Sequence, residues 1–466
     1  MKRIAVLLLA LLVSPAWGNE IRLPDYERIV LDNGAVLLIA EKHDVPLVGL
    51  RAVVRGGAAA DPAGRAGMAG LLSALIQKGA GERDAAAFAE ASAYVGGSLT
   101  ASASTEAVSV SADFLARDAA LMIELVADML MRPTLAEEQF VKERDRTMAL
   151  IRAARGSNPQ ALMSAYANGF LFGDHPYGNP ASGSESSLAA ISHEELMRFY
   201  ADNFGSDRLI VAVVGDFNAE AMKKALANAF DGWAPAGAIL PALEPAPRTE
   251  GRRVLLVDKP GASQTYFWIG NIGVALDYAR RAELRIANTL FGGRFTSMLM
   301  TALRVETGLT YGARSTIEQF ELPGTVTIRS YTETSKTVDA IDLAIELLGR
   351  LHRRGVDDDM ITSARNYIMG QYPPTLETAS ALAAMLAFLE QHGLGREYID
   401  GYGEALLAAT PVSVHNAISE VYPLPEDLVL VLVGDAAVIR DDIEKYGPVT
   451  EMSITEPRFR PDQLPK

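Results

Sequence analysis

A repeat restricts this chain more than any other feature. Two apolar runs, Leu209-Ile-Val-Ala-Val-Val-Gly215 and Leu428-Val-Leu-Val-Leu-Val-Gly434, each end in a Gly-Asp pair, and the pairs lie 219 residues apart. Each run follows a helix-like stretch opened by a hydroxyl N-cap, Ser192 in one and Thr410 in the other, 218 residues apart. Upstream, Asp61-Pro-Ala-Gly-Arg65-Ala66 is echoed by Asp277-Tyr-Ala-Arg-Arg281-Ala282 at an offset of 216. Landmarks at nearly one offset identify two copies of one unit of roughly 200 residues. Between them, Trp233 to Arg252 carries Pro235, Pro241, Pro245 and Pro247 among Ala and Gly, the composition of a semi-extended linker. The chain divides into residues 1–18, a first unit 19–234, a linker 235–252 and a second unit 253–466.

Each unit mixes strands and helices. Residues 28–40 and 45–55 read as strands, with a turn at Asp32-Asn33-Gly34, and 98–113 as a hairpin in which Ser and Thr alternate with apolar residues. Residues 66–77, 84–95 and 115–131 read as helices. In the first of these, Met68, Leu71, Leu72, Leu75 and Ile76 form one buried stripe, and Gly70, Ser73, Ala74 and Gln77 a face for close packing. Strand pairs followed by helices predict an α+β fold: two homologous units, each a mainly antiparallel sheet with helices packed on one face.

The beginning of the chain bears on its compartment. Lys2 and Arg3 precede the apolar run Ile4–Val13, Ser14-Pro15 breaks it, and Ala16-Trp17-Gly18 offers small residues for signal cleavage before Asn19. The run is ten residues, against about 20 for a bilayer span. We expect a signal peptide, export, most simply to a bacterial periplasm, and no membrane anchor once the signal is removed. No cysteine is present, which excludes disulfides and thiol chemistry. The formal charge is −15, or −17 once Lys2 and Arg3 leave, and an acidic surface of that size argues against nucleic acid as a partner.

The residues around the helix at 66–77 carry a family likeness. Arg55-Gly-Gly-Ala-Ala-Ala-Asp61-Pro62 followed by Gly67-Met68-Ala69 resembles the lead-in to the catalytic helix of the pitrilysin/insulinase-type metallopeptidases, the inverted zincins. Further on, His175-Pro-Tyr-Gly178, Gly183, Ile191-Ser-His-Glu-Glu-Leu196 with Phe199-Tyr200, and Val213-Val-Gly-Asp216 follow the family's midsection in order, so that the resemblance covers most of the chain. In that family the helix continues His-x-x-Glu-His, two zinc ligands and a general base. The matched positions here are Gly70, Ser73 and Ala74. The third ligand, a Glu seven residues after a Glu-Arg pair matched by Glu143-Arg144, falls on Leu150, or on Ala149 with a slip of one. None of these can bind zinc or take a proton. The histidines at 43, 175, 193, 352, 392 and 415 include no pair at helical spacing, and Asp357-Asp358-Asp359 suits a turn or cap. No G-x-S-x-G elbow is present. Where active members carry Asn-Ala on the edge strand that pairs with substrate, this chain has Thr100-Ala101.

The second unit keeps another element of the family. Phe291-Gly-Gly-Arg-Phe-Thr-Ser297 with Leu299, running into Leu303-Arg-Val-Glu-Thr-Gly-Leu-Thr-Tyr-Gly312, resembles the segment whose Arg and Tyr reach into the zinc site. Here they are Arg304 and Tyr311. A Tyr hydroxyl can donate to the oxyanion of peptide hydrolysis, and a guanidinium can fork onto substrate carbonyls or a carboxylate. From residue type alone a solvated helix-end Arg and a half-buried Tyr are the commoner outcomes; the matched context favours the functional reading. Gly308 should cap the Arg304 helix in the left-handed conformation, with Tyr311 opening a strand.

Two-chain members of the family, similar to the mitochondrial processing peptidase subunits, divide the work between a zinc-bearing chain and one that supplies the Arg-Tyr pair. The resemblance thus implies a noncatalytic subunit with no metal or cofactor of its own, paired as a heterodimer with a homologous zinc-bearing chain and acting on peptides. The alternative is a peptide-binding or scaffold protein of the same fold with no role in hydrolysis. A self-sufficient enzyme with relocated ligands is least supported by the scattered histidines.

Overall fold

The computed structural model describes residues 22–461, so the signal segment expected at 1–18 lies outside the described residues. The first unit is built on β1 (Glu27–Val30), β2 (Val36–Glu41), β3 (Leu47–Arg55), the short ribbon β4 (Gly79–Ala80) and β5 (Arg83–Asp84), β6 (Ser98–Ala103), β7 (Ala107–Leu115) and β8 (Leu209–Gly215). The second contains β9 (Arg253–Asp258), β10 (Gln264–Ile272), β11 (Ala313–Glu318), β12 (Thr325–Glu333), β13 (Val429–Gly434) and β14 (Val449–Ser453). One six-stranded sheet runs β1-β2-β8-β3-β7-β6 and the other β14-β9-β13-β10-β12-β11.

Position by position the orders are the same, and the repeat detected in the sequence is a repeat of topology. The units differ at one edge. There β1 enters from the N-terminal side and pairs antiparallel with β2, whereas β14 arrives from the C-terminal side and pairs parallel with β9. Most other pairings are antiparallel; the exceptions are β2 with β8 and β9 with β13. The two apolar runs that exposed the repeat are β8 and β13. Each sits inside its sheet and is buried at every position, which is why neither alternates. Ser192 and Thr410 open their helices, His193–Asn203 and Pro411–Val421, with capping boxes.

The expectation of helices on one face describes each unit's own helices. In the first sheet Leu37, Ile39, Leu50, Val110 and Val213 face helices of that unit, among them Met68–Leu75 and Ala119–Met131. The alternate residues Val36, Leu38, Ala40, Ile210, Ala212 and Val214 face the other way, and the helix Ala379–Gln391 from the second unit lies on them through Leu382, Ala383, Leu386 and Ala387. The exchange is mutual. Helix Met163–Phe172 of the first unit lies against the second sheet, with Tyr166 and Phe170 in one core with Leu255, Trp268, Val431 and Val433. Each sheet is therefore buried on both faces, one of them by the other unit, and the two units make a single body.

Candidate functional site

The helix Met68–Leu75 starts at Gly67, and its entry is fixed by Asp61, whose carboxylate accepts hydrogen bonds from the amides of Gly67 at 2.7 Å and Ala69 at 2.8 Å. Burial pushes the Asp61 carboxyl up to about 7, against the opposing pull of those amides. The residues that resemble a catalytic lead-in thus do structural work here. On the helix, Ser73 is buried and its hydroxyl donates to the Gly70 carbonyl at 2.8 Å. A β-carbon added at Gly70 would stand 2.0 Å from the carbonyl oxygen of Ala181. The place where a first zinc-binding side chain would leave the helix is occupied by backbone of the 179–183 turn. Leu150, on helix Glu137–Ser157, is 57% exposed. Seven residues earlier Glu143 is buried and paired with Lys78 at 3.1 Å and Arg146 at 3.0 Å. Gly70, Ser73, Ala74 and Leu150 do not fit a zinc ion, in donor type or in space. Among the described residues no group of three or more His, Cys, Asp or Glu side chains could hold a metal ion.

Four of the six histidines have hydrogen-bond partners close by. His43 bonds Asp216 at 2.7 Å, His175 the Glu244 carbonyl at 2.9 Å, His193 the Leu135 carbonyl at 2.6 Å and His352 the Pro423 carbonyl at 3.1 Å. Asp357 caps the helix Asp358–Gln371 through the Met360 amide. At the sheet edge, Thr100 is exposed and the Ala101 carbonyl accepts from the side chain of Gln77 at 3.1 Å.

The second unit presents a different surface. Helix Arg281–Asn288 runs on into a π-helical turn, Thr289–Gly293, that ends at Arg294 in extended backbone; beyond a turn at 294–297, a short α-helical piece, Met298–Met300, leads into a second π-helical stretch, Thr301–Glu306. Such bulges are frequent at functional sites. Arg304 lies on the second stretch, and Gly308 follows with φ +65° as a left-handed stop. The strand begins at Ala313, two residues beyond Tyr311, so Tyr311 belongs to the connecting turn and not to the strand start predicted for it. There it is free to project, and its ring is 73% exposed. The Arg304 guanidinium lies 4.1 Å from the Tyr311 ring centre and 5.1 Å from that of Phe295, itself 60% exposed. The cation between two rings fixes the pair that the sequence singled out. It stands at a cleft of about 550 Å³ that is also lined by Arg285, Arg294, Arg314 and Tyr367. The sequence reading missed these four because they come from separate elements.

A second cavity, of about 510 Å³, opens where both units and the linker meet, lined by Arg55, Glu106, Tyr177, Leu240, Glu321 and His392 among others. The Tyr177 hydroxyl donates to Glu106 and accepts from the Leu322 amide at 3.2 Å. The Glu106 carboxylate also accepts from the Glu321 amide at 2.9 Å. Burial raises Glu106 and lowers His392 to about 4. The His-Pro-Tyr-Gly element is thereby a tie between units, with Tyr177 packed edge-on against Phe320.

A fold of two sheets that exchange helices, with an Arg-Tyr surface on one unit and a blocked ligand helix on the other, defines the class: a two-unit peptidase-like α+β protein whose described residues include no metal-holding cluster. The family profile described as Insulinase (Peptidase family M16) matches residues 36–184, and that described as Peptidase M16 inactive domain matches 190–368. The chain belongs to peptidase family M16. It is 26% identical to an uncharacterized zinc protease of Mycobacterium leprae, over 69% of this chain and 72% of that one. It is 22% identical to a protein of Helicobacter pylori named a non-peptidase homolog, over 74% and 79%. The fold matches a solved peptidase M16 inactive domain from Pseudomonas fluorescens, TM-score 0.82 at 21% identity, covering 88% of this chain and 98% of that one. It also matches a protease from Helicobacter pylori, TM-score 0.81 at 18% identity, covering 88% and 100%. This is an inactive peptidase-like member of its family.

Proposed function

We propose that the chain is the noncatalytic subunit of a periplasmic zinc peptidase, paired with a homologous chain that carries zinc, and that it supplies Arg304 and Tyr311 to peptide hydrolysis in trans. One contrast carries this reading. The helix that would hold zinc is closed at Gly70 by the Ala181 carbonyl, while a half-buried Arg304 lies on the ring of an exposed Tyr311 at the cleft. A chain kept only as a scaffold has no need to hold a guanidinium between two exposed rings. In this role the Tyr311 hydroxyl donates to the developing oxyanion and Arg304 fixes the peptide by its carbonyls or a carboxylate.

The test is reconstitution with a zinc-bearing family M16 chain from the same organism. Arg304→Ala with Tyr311→Phe should lower kcat/KM of the mixture about a hundredfold or more, on the scale of losing an oxyanion donor. Thermal stability should stay unchanged, because Tyr311 is largely exposed. Undiminished hydrolysis by the variant would leave a peptide-binding or scaffold role as the account of this chain.

A further inference from the structure

The cleft beside the Arg304–Tyr311 pair is lined by four arginines, Arg285, Arg294, Arg304 and Arg314, and by no Asp or Glu. None of the four has a carboxylate partner among the described residues. Elsewhere this acidic chain commonly pairs its arginines, as in Arg28–Glu390, Arg65–Glu195 and Arg440–Glu451. Two of the four are left incompletely partnered by the fold. Arg314 stands directly across from Arg329 in the β11–β12 ladder, and of the two only Arg329 has a carboxylate beside it among the described residues, Glu318 at 3.5 Å. Arg294 donates to the Ser363 hydroxyl at 3.0 Å, yet its Nε is buried with no acceptor. The cleft's aromatic residues, Phe295, Tyr311 and Tyr367, are all exposed.

We propose that this cleft binds an acidic peptide segment, with Asp and Glu side-chain carboxylates forked by Arg294, Arg304 and Arg314 and neighbouring apolar side chains resting on the exposed rings. A short peptide fits better than a polyanion. A long nucleic acid or glycan would track beyond the cleft onto the surface of a chain with net charge −15, which repels it. Peptide binding stands on the cleft itself; that the bound acidic peptide is also the substrate class rests on the trans-hydrolysis reading above.

The experiment uses the full chain alone, so no partner enters it. Fluorescence anisotropy with a labelled Asp/Glu-containing decapeptide should show saturable binding that weakens with added salt. The same decapeptide with Gln and Asn at the acidic positions should bind at least about tenfold more weakly. Arg314→Gln with Arg294→Gln should weaken the acidic peptide by a similar factor and leave the melting temperature within error of the parent, while Arg314→Lys should recover part of the loss. Equal affinity for the acidic and amide decapeptides, or no effect of the double variant, would overturn the proposal. So would displacement by an oligonucleotide at lower concentration than by unlabelled acidic peptide. If acidic peptides fail to bind while hydrolysis by the reconstituted pair still depends on Arg304, the acid preference falls and the trans role survives. If binding holds and hydrolysis ignores Arg304, the trans role falls and the binding cleft survives.

Discussion

Replacing Gly70 with Ala tests whether the ligand helix is closed by the fold. The added β-carbon would meet the Ala181 carbonyl oxygen at 2.0 Å, where ordinary contact begins at 3.4 Å, so helix and turn must part by about 1.4 Å. The turn has little room to yield. The Gly183 amide donates to the Pro180 carbonyl at 2.8 Å, Ser184 begins the next helix with a capping box, and the Ser187 hydroxyl donates to the Ala66 carbonyl at 2.8 Å. Overpacking of this kind costs about 1–3 kcal/mol, and more when backbone must move. Helix propensity works the other way, favouring Ala over Gly by about 1 kcal/mol. We expect a net loss of about 2 kcal/mol, or a melting point lowered by roughly 2 °C for a single body of this size. Gly156→Ala is the control. It lies on helix Glu137–Ser157 with nothing within 4 Å of the added carbon, and should be neutral or slightly stabilising. Thermal unfolding of both variants decides it. A Gly70→Ala protein as stable as the Gly156→Ala protein would refute the closed helix.

Two further outcomes follow from the same structure. Leu386, 1% exposed on the exchanged helix, should cost about 2–5 kcal/mol as Leu386→Ala, measured by urea unfolding, and the first unit should become more sensitive to protease, because its outer face loses its cover. Burial lowers His392 to about 4 from an ordinary 6.5, with Glu106 and Arg55 facing the same cavity. The folded chain therefore binds this proton less readily than the unfolded chain. Stability from His392 is complete above pH 6.5 and is lost as pH falls toward 4, by no more than about 2 kcal/mol after allowing for solvent screening. His392→Gln should flatten the slope of melting point against pH over that window, and an unchanged slope would place it elsewhere.

Much of this architecture could be read from the chain. β8 and β13 announced themselves because an internal strand buried on both faces must be apolar throughout, and Ser192 and Thr410 because a hydroxyl cap leaves a local mark. The stripe from Met68 to Ile76 gave one helix face and the small residues at Gly70 and Ser73 the other. The helix exchange was hidden. Residues 379–391 and 163–172 look like any buried helix, and only three-dimensional neighbours show that each lies on the opposite unit's sheet. The arginine cleft was hidden for a related reason. Arg285, Arg294 and Arg314 come from a helix, the extended residue that ends a π-helical turn, and a strand, and no linear spacing relates them. Tyr311 was placed correctly beside Arg304 but assigned to the wrong side of the turn, because the Thr310 hydroxyl and the Gly312 amide and carbonyl form a local knot that delays the strand to Ala313.

In the proposed role this chain does not hydrolyse peptides alone and completes a site in another. The most direct measurement is peptide hydrolysis by the purified full chain, by a zinc-bearing family M16 chain of the same organism, and by the two together, with zinc content determined for each. We expect no zinc and no activity in this chain, little in the other, and hydrolysis in the mixture that saturates at equal stoichiometry. Full activity of the zinc-bearing chain by itself, unchanged when this one is added, would contradict it.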